Sequence, residues 1–143
     1  MILPDTNLLV YAYNEGASQH RAARSWLEEH LSGPEPIALT WATLSGFLRI
    51  ATNRRIAKEP ASIQQAIAVV DGWLMQPVVR IIRPGERHWP ILQRMLLALN
   101  VGGDLVSDAH LAALAVEHDC ELCSTDTDFA RFPELRWRNP LGR

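Results

Sequence analysis

Four carboxylates lie in two clusters late in the 143-residue chain, and a fifth lies close to its beginning. Asp104 and Asp108 are spaced so that on a helix they share one face, about one turn apart. Asp126 and Asp128 follow a short apolar segment, and Asp5 follows another. Converging carboxylates repel one another unless a cation neutralises them. Because no His belongs to the set, a hard divalent cation such as Mg²⁺ or Mn²⁺ is the simplest candidate.

Converging carboxylates of this kind are typical of metal-dependent hydrolases. Mg²⁺ binds one or two carboxylates at about 2.0–2.1 Å and keeps several waters, which leaves room for a phosphate oxygen. Such an ion lowers the pKa of a bound water, orients it in line and neutralises charge in the transition state. Hydrolysis of a nucleic-acid backbone uses all three effects. We therefore predict a Mg²⁺-dependent nuclease in which Mn²⁺ can substitute.

The elements that must position these acids alternate between strands and helices. We predict strands at residues 1–4, 37–39, 78–82, 121–123 and 135–137, with helices over the segments between the first four. This alternation is typical of an α/β fold with a parallel sheet covered on both faces. Asp5, Asp108 and Asp126 each follow a predicted strand or begin a helix, so we expect them to meet at one edge of the sheet.

The residues after the first strand leave two interpretations of Asp5. Thr6 or Asn7 could each cap the first helix, which would leave Asp5 for a functional role. Alternatively, Asp5 is itself a plain helix cap. We favour the functional role because two other residues can do the capping. Ser18 is the expected cap of the second helix, which we predict to end at Leu31.

The totals indicate a single globular domain spanning residues 1–143. The chain is 48% apolar with a net charge of −2, which argues against a strongly electrostatic nucleic-acid binder but leaves room for a local basic patch. No apolar run reaches membrane-spanning length, and Asp5 comes too early for a signal peptide. We therefore expect a cytoplasmic protein that does not contact a membrane.

The densest basic stretch contains Arg49, Arg54, Arg55 and Lys58. Arginine suits bidentate contacts with phosphate, so one interpretation is a rim that contacts a nucleic-acid backbone. The other interpretation is a solvated loop. The sequence leaves both open.

Other residues capable of chemistry have simpler interpretations. Cys120 and Cys123 have no partner Cys or His pair to complete a zinc site, and on a strand they would face opposite sides, so we interpret them as structural thiols. His110 is interpreted as structural, with protonation of a leaving oxygen as the alternative. Glu117 and Asp119 are typical of a solvated helix end.

Four motifs, in this order and spacing, resemble the PIN-domain family. They are Asp5-Thr6-Asn7, then Phe47 to Asn53, then Asp108 to Ala113, and finally Thr125 to Phe129. Each motif is weak alone, whereas their combination is specific and spans nearly the whole chain. The resemblance is greatest to VapC toxins, the ribonuclease halves of bacterial type II toxin–antitoxin pairs.

This resemblance implies a three-layer α/β/α sandwich around a central, mainly parallel sheet. It further implies a Mg²⁺-dependent endoribonuclease that cuts structured RNA such as transfer or ribosomal RNA. The expected partners are a second copy of the chain, as a homodimer, and a VapB-type antitoxin whose tail covers the site.

The resemblance also implies roles for individual residues. Asp5 and Asp108 are expected as metal ligands, with Asp126 as a further acid of the metal set. Supporting roles are expected for Thr6, Asn7, Ser124, Thr125 and Asp128, of which Asp128 orients the loop and a hydroxyl of Ser124 or Thr125 lies near the water. Arg49 is expected to contact phosphate or the acids of the site.

One departure from the family concerns the helix after the second strand. The family commonly has a Glu there, in the stretch occupied here by Leu44-Ser45-Gly46, and no acid lies between Glu35 and Glu59. Asp104 is the natural substitute, with a plain helix N-cap as its other interpretation. The absence of this Glu affects the expected binding of a second metal ion more than the expected catalysis.

Two other functional classes fit parts of the sequence. A Mg²⁺-dependent phosphohydrolase would use Asp5 as a nucleophile, but such enzymes usually carry a second Asp where this chain has Asn7. A catalytically degenerate PIN domain that only binds RNA or protein would explain the missing Glu.

Overall fold

The computed structural model describes residues 1–142 and contains five short strands and six α-helices. Each strand is two or three residues long. The strands are β1 (Ile2–Pro4), β2 (Ile37–Leu39), β3 (Val79–Ile81), β4 (Glu121–Cys123) and β5 (Trp137–Arg138). The helices are α1 (Thr6–Tyr13), α2 (His20–Leu31), α3 (Trp41–Ala51), α4 (Ile63–Leu74), α5 (His88–Leu99) and α6 (Leu105–Glu117), and a 3₁₀ helix covers Thr127–Arg131.

The sheet has the strand order β3-β2-β1-β4-β5, and every neighbouring pair is parallel. β1 lies in the middle, between β2 and β4, with Leu3 opposite Leu122 and Pro4 opposite Cys123. Because β1 and β4 run in parallel and in register, the residues that follow Pro4 and Cys123 leave the sheet side by side.

Two hydrophobic clusters cover opposite faces of the sheet. Leu3 and Leu122 pack with apolar residues of α5 and α6, whereas Ile2, Leu39 and Cys123 pack with α1 to α4. Successive strand residues therefore alternate between the two clusters, as the pleat requires. The α/β/α sandwich predicted from the sequence is confirmed, and the sheet is wholly parallel where it was expected to be mainly so.

Several predicted boundaries are wrong. The second helix begins at His20, after Gln19, and Ser18 does not cap it; its hydroxyl donates to Gln19 Oε1 instead. The last strand is Trp137–Arg138 and not residues 135–137, although it is an edge strand as predicted. The side chains of Thr40 and Ser62 cap α3 and α4.

The end of α6 is not solvated as predicted. The Glu117 side chain is only 7% exposed, and its two carboxylate oxygens accept the backbone N–H groups of Gly85 (2.9 Å) and Arg87 (3.1 Å). The Arg87 guanidinium in turn donates to the Glu117 carbonyl at 2.6 Å. This carboxylate therefore fastens the segment before α5 to the end of α6. The Asp119 side chain, in contrast, is exposed as expected.

Cys120 and Cys123 are buried free thiols in different clusters, on opposite faces of the sheet. Burial raises the pKa of Cys120 to about 11 and that of Cys123 to about 12. A protonated, buried thiol is a poor nucleophile and metal ligand, which supports a structural role for both. Among residues 1–142, no helix is long and apolar enough to span a membrane.

Candidate metal centre

The candidate site lies where β1 and β4 end. Asp5 directly follows β1, and its backbone N–H donates to the Cys123 carbonyl at 2.8 Å, which continues the ladder between the strands. Ser124 and Asp126 follow β4, and Asp108 lies in the first turn of α6. The parallel sheet thus brings together acids from the two ends of the chain, as the sequence predicted.

Asp5 itself caps α1, so the prediction that Thr6 or Asn7 does so is wrong. Asp5 Oδ1 accepts the Thr6 N–H at 2.7 Å, and Oδ2 accepts the Ser124 hydroxyl at 2.8 Å. Both oxygens are therefore oriented by donors, while the carboxylate still lines the cleft beside Asp108. Its pKa is raised, mainly because burial disfavours the charged form and to a lesser extent because Asp126 is near; the two hydrogen bonds act in the opposite direction.

A small polar network supports Asp5. The buried Ser124 hydroxyl donates to Asp5 and accepts the Asp126 N–H at 3.0 Å. The Asn7 amide Nδ2 donates to Ser124 Oγ at 3.3 Å and to Thr125 Oγ1 at 2.9 Å. Asn7 Oδ1 is buried without a hydrogen-bond partner among the described residues, which leaves an acceptor inside the site. This network gives Asn7, Ser124 and Thr125 positions that suit their predicted supporting roles.

Three carboxylates come close enough to share one ion. One oxygen each from Asp108, Asp126 and Asp128 lies within 4.8 Å of the other two. Asp126 Oδ1 also accepts the Asp128 N–H at 2.9 Å, which orders the loop between β4 and the 3₁₀ helix. The sequence counted Asp128 among the clustered carboxylates, and the family resemblance gave it the ordering of this loop. The structure shows both the loop contact and the convergence of its carboxylate with the other two. Three anionic oxygens at this spacing fit a hard divalent cation.

Electrostatic repulsion is concentrated on Asp108. Its pKa is raised to about 6, first because burial disfavours the charged form and then because the charges of Asp126, Asp5, Asp128 and Asp104 repel it, in decreasing order. A carboxyl group held this far above its ordinary value at the end of a parallel sheet is typical of a functional site. A bound cation would reverse the effect by favouring the charged form.

Asp104 occupies the N-cap position of α6, but its side chain makes no capping hydrogen bond, and it is exposed. The structure therefore confirms the N-cap position but not a capping hydrogen bond, and the role of Asp104 as a substitute for the missing Glu stays a prediction. Asp104 acts on Asp108 through charge, and that charge is the weakest of the four that raise the Asp108 pKa.

Asp5 and Asp108 line an open cleft of about 770 Å³ between α1, α3 and the start of α6. Ser45 and Gly46, from the stretch of α3 without the expected Glu, line this cleft. Leu44 is buried at 2% exposure, and Gly46 lies against Thr6, where an added Cβ would come within 2.9 Å of Oγ1. Ser45 is exposed and lines the cleft, so the side chain that α3 contributes there is a short hydroxyl.

The basic residues divide into two groups. Arg49 lines the same cleft as Asp5 and Asp108, and Lys58 lines an adjoining groove. Arg54 and Arg55 are exposed in the loop after α3 and do not line the cleft. Of the four residues predicted to contact phosphate, Arg49 alone lines the cleft that contains Asp5 and Asp108.

The pairing of His110 with His88 was not predicted from the sequence. The Nδ1 atom of His110 lies 3.1 Å from Nε2 of the buried His88 in α5, and the rings meet edge to face at 4.7 Å. Burial, followed by the charge of His88, lowers the pKa of His110. His110 therefore packs α6 against α5, in agreement with its structural interpretation. The two histidines are 22 residues apart in the sequence, so no local pattern reveals that their rings pair.

The fold resembles solved toxin–antitoxin proteins. VapBC2 from Rickettsia felis, solved bound to a DNA fragment from its promoter, superposes with a TM-score of 0.72 at 20% identity over 97% of this chain and 98% of the other. VapC20 from Mycobacterium tuberculosis, described as a sarcin–ricin loop cleaving toxin, superposes with a TM-score of 0.67 at 19% identity over 95% and 99%. At such identities, the likeness concerns the fold.

Sequence comparison establishes the family. A PIN-domain model matches residues 2–135. Ribonuclease VapC33 from Mycobacterium tuberculosis (strain ATCC 25618 / H37Rv) is 45% identical over 141 residues, which are 99% of each chain. Ribonuclease VapC37 from the same strain is 41% identical over 140 residues, 98% of this chain and 97% of the relative. The chain therefore belongs to the PIN-domain family, in its VapC branch, as the motifs predicted.

Proposed function

We propose that this chain is a metal-dependent endoribonuclease, the toxin of a VapBC-type toxin–antitoxin module, acting in the cytoplasm as a single PIN domain over residues 1–143. The observation that carries the proposal is the group formed by Asp108, Asp126 and Asp128, whose oxygens converge to within 4.8 Å. This group lies in a chain that is 45% identical to a protein named as a ribonuclease. Acid convergence and family membership are independent observations, and both favour hydrolysis of RNA.

The residues of the site fit Mg²⁺, with Mn²⁺ as a substitute. Asp108 and Asp126 would hold the ion, with Asp128 beside them and Asp5, the remaining predicted ligand, held toward the cleft by Ser124 and Thr6. When bound, a divalent ion activates a water and neutralises charge on the phosphate that is cut. Asp104 adds negative charge at the mouth of the site.

The chain's own groups supply orientation and charge. Ser124 and Asn7 fix the Asp5 carboxylate and the loop that carries Asp126, so that less ordering is needed when substrate binds. Arg49, in the cleft wall, is suited to a phosphate group because its guanidinium can donate two parallel hydrogen bonds to two of the phosphate oxygens. Arg54, Arg55 and Lys58 would contact phosphates farther along the strand.

Structured RNA, transfer or ribosomal, is the proposed substrate class, and a VapB-type antitoxin the proposed inhibitor. The antitoxin is supported by structural neighbours solved as toxin–antitoxin complexes, among them one from Klebsiella pneumoniae. We also propose a homodimer, which sedimentation at micromolar concentrations would test; side chains such as Trp89 (62% exposed) and Leu97 (73% exposed) on α5 offer it apolar surface.

RNA cleavage by the purified protein tests the activity. Transfer and ribosomal RNA should be cut in the presence of Mg²⁺ or Mn²⁺ and left intact when EDTA is added. Asp108→Asn and Asp126→Asn should each lose at least about a hundredfold in rate, because each removes a charge that holds the ion. Asp71→Asn, an exposed position on α4, is the matched control. Activity that survives chelator or both site variants would overturn the proposal.

A degenerate PIN domain that binds RNA without cutting it is the second candidate, favoured by the absence of an acid from α3. It would bind RNA with no metal-dependent turnover. The phosphohydrolase is less well supported, because both Asp5 oxygens already accept hydrogen bonds and Asn7 takes the place of the second Asp. Trapping a phosphorylated Asp5 would favour it.

A further inference from the structure

A narrow apolar pocket opens from the side of the acid cleft. The pocket and the cleft share Val10, Asn14, Ile50 and Ile56 in their walls, so the two are continuous. The pocket holds about 40 Å³, room for roughly three waters. A volume of this size can admit the edge of a flat ring that lies in the cleft but not a whole ring or a bulky group. Ile56 is 57% exposed, so its side chain is available for contact.

Two residues in the lining of this pocket are polar. Asn14 and Glu59 line it, and both also line the neighbouring groove with Lys58. Asn14 Oδ1 accepts the Gly16 N–H at 3.0 Å, so the group that Asn14 can offer to a ligand is its Nδ2 amide, a hydrogen-bond donor. Glu59 offers only acceptors. Apolar walls that also carry a donor and an acceptor suit a flat heterocycle with polar atoms along one edge.

Charged groups stand on both sides of the pocket. Arg49 lines the cleft on the side of the acids, and Lys58 lines the groove on the other side. The pocket shares four lining residues with the cleft and three with the groove, whereas the cleft and the groove share Asn14 alone, so the pocket lies between the acids with Arg49 and Lys58. A nucleotide chain has the same alternation of phosphate, base and phosphate.

We propose that this pocket, lined by Val10, Ile50 and Ile56 together with Asn14 and Glu59, receives one edge of the base of an unpaired nucleotide next to the phosphate that is cut. The inference rests on the proposed ribonuclease function and adds the form of the substrate at the site. A base in a duplex is stacked and paired and cannot enter a pocket beside the backbone, whereas a base in a loop can turn out. An aliphatic peptide side chain would leave Asn14, Glu59 and the two flanking cations without partners.

Nucleotide binding to metal-free protein tests the pocket without requiring cleavage. Isoleucine methyl groups are labelled for NMR, and the four nucleoside 5′-monophosphates are titrated separately in EDTA. At least one nucleotide should shift the methyl signals of Ile50 and Ile56 with a millimolar dissociation constant, and leave Ile63 and Ile67 on the exposed face of α4 unchanged. Ribose 5-phosphate, which has no base, should not reproduce the shifts.

A matched pair of variants locates the contact. Ile56→Ser should weaken binding about fivefold, because it removes one contacting apolar side chain. Ile67→Ser, at a similarly exposed isoleucine (47%), should leave it unchanged. The inference is overturned if no nucleotide shifts Ile50 and Ile56, or if ribose 5-phosphate shifts them equally; the pocket would then be left to a peptide.

Failure of the inference and failure of the proposed function give different results. RNA cleavage with unmoved isoleucine signals would reject the base pocket alone. Nucleotide binding without any metal-dependent cleavage would reject the nuclease and support the pocket as a base-binding site in the degenerate domain.

Discussion

Asp108 is the residue whose charge is most strongly opposed by its surroundings. In the metal-free protein its pKa is about 6, against an ordinary value of 3.8. Between about pH 4 and 6 the Asp108 carboxyl group therefore keeps its proton in the folded state, whereas in the unfolded state it has lost it. Above pH 6 the group is charged in both states and the repulsion is felt in the folded state alone. The folded protein therefore loses stability as the pH rises through this window.

Removing that charge should stabilise the metal-free protein. We expect Asp108→Asn to raise the free energy of unfolding at pH 7.5 in EDTA by about 1 kcal/mol, a value that allows for solvent screening of this half-buried group. The gain should shrink as the pH is lowered from 6 to 4, because the parent carboxyl group becomes protonated. Thermal melts over this range provide the measurement. A gain that does not vary with pH would point to a packing effect.

The predicted metal ligands and the carboxylates that converge in the structure differ at Asp128. The predicted ligands were Asp5, Asp108 and Asp126, whereas the converging oxygens belong to Asp108, Asp126 and Asp128. Because Asp128 belongs to the three-carboxylate group, we expect Asp128→Asn to weaken Mn²⁺ binding about tenfold in a calorimetric titration. The exposed Asp71→Asn variant should bind like the parent. Unchanged affinity in Asp128→Asn would return this residue to the loop-ordering role that the sequence indicated.

At the scale of single elements, the carboxylate of Glu117 fastens the start of α5 to the end of α6. Glu117→Ala leaves the Gly85 and Arg87 N–H groups without their acceptors, and we expect a loss of about 1–3 kcal/mol in the free energy of unfolding. Glu86→Ala, at an exposed residue of the same segment, serves as the control in urea titrations. Equal losses in the two variants would show that the hydrogen bonds contribute little.

The close contact between α1 and α3 depends on Gly46, which has no side chain. An added Cβ at Gly46 would lie 2.9 Å from Thr6 Oγ1, whose hydroxyl donates to the Thr43 carbonyl at 3.2 Å. Gly46→Ala should therefore displace Thr6, next to Asp5, and cost about 1–3 kcal/mol despite the better helix propensity of Ala. Gly72→Ala on α4, where nothing lies within 4 Å, should stabilise slightly in the same melts. Stabilisation by both substitutions would contradict the close approach.

Much of the fold followed from the sequence because the three central strands are short, apolar and buried on both sides. The convergence of Asp5, Asp108 and Asp126 followed in turn from parallel topology. The helix starts were less predictable. Asp, Thr and Asn are all good N-caps, so composition alone does not say that Asp5 is the cap. The contacts of Asp128, Ser124 and His88 depend on loop and side-chain conformations that local patterns do not encode.

For the whole molecule, the net charge of −2 means that the proposed binding of RNA would depend on a local basic patch. If Arg54 and Arg55 contact phosphates, replacing both by Ala should weaken RNA binding and flatten the plot of log affinity against log salt by about 0.7 per lost contact. The exposed pair Arg21 and Arg83, replaced together, controls for the change in net charge. Identical slopes for the two double variants would return the segment to a solvated loop.

The middle position of β1 in the sheet has a consequence for how the chain is made. Asp5 leaves the ribosome long before Ser124, which lies 119 residues farther along, yet the two are joined by a hydrogen bond, and β1 pairs with β4. The nascent chain can form its early helices but cannot assemble the acid group until the β4 segment has been synthesised. A product that ends before residue 121 lacks β4, Asp126 and Asp128, so under the proposed function it would not cut RNA.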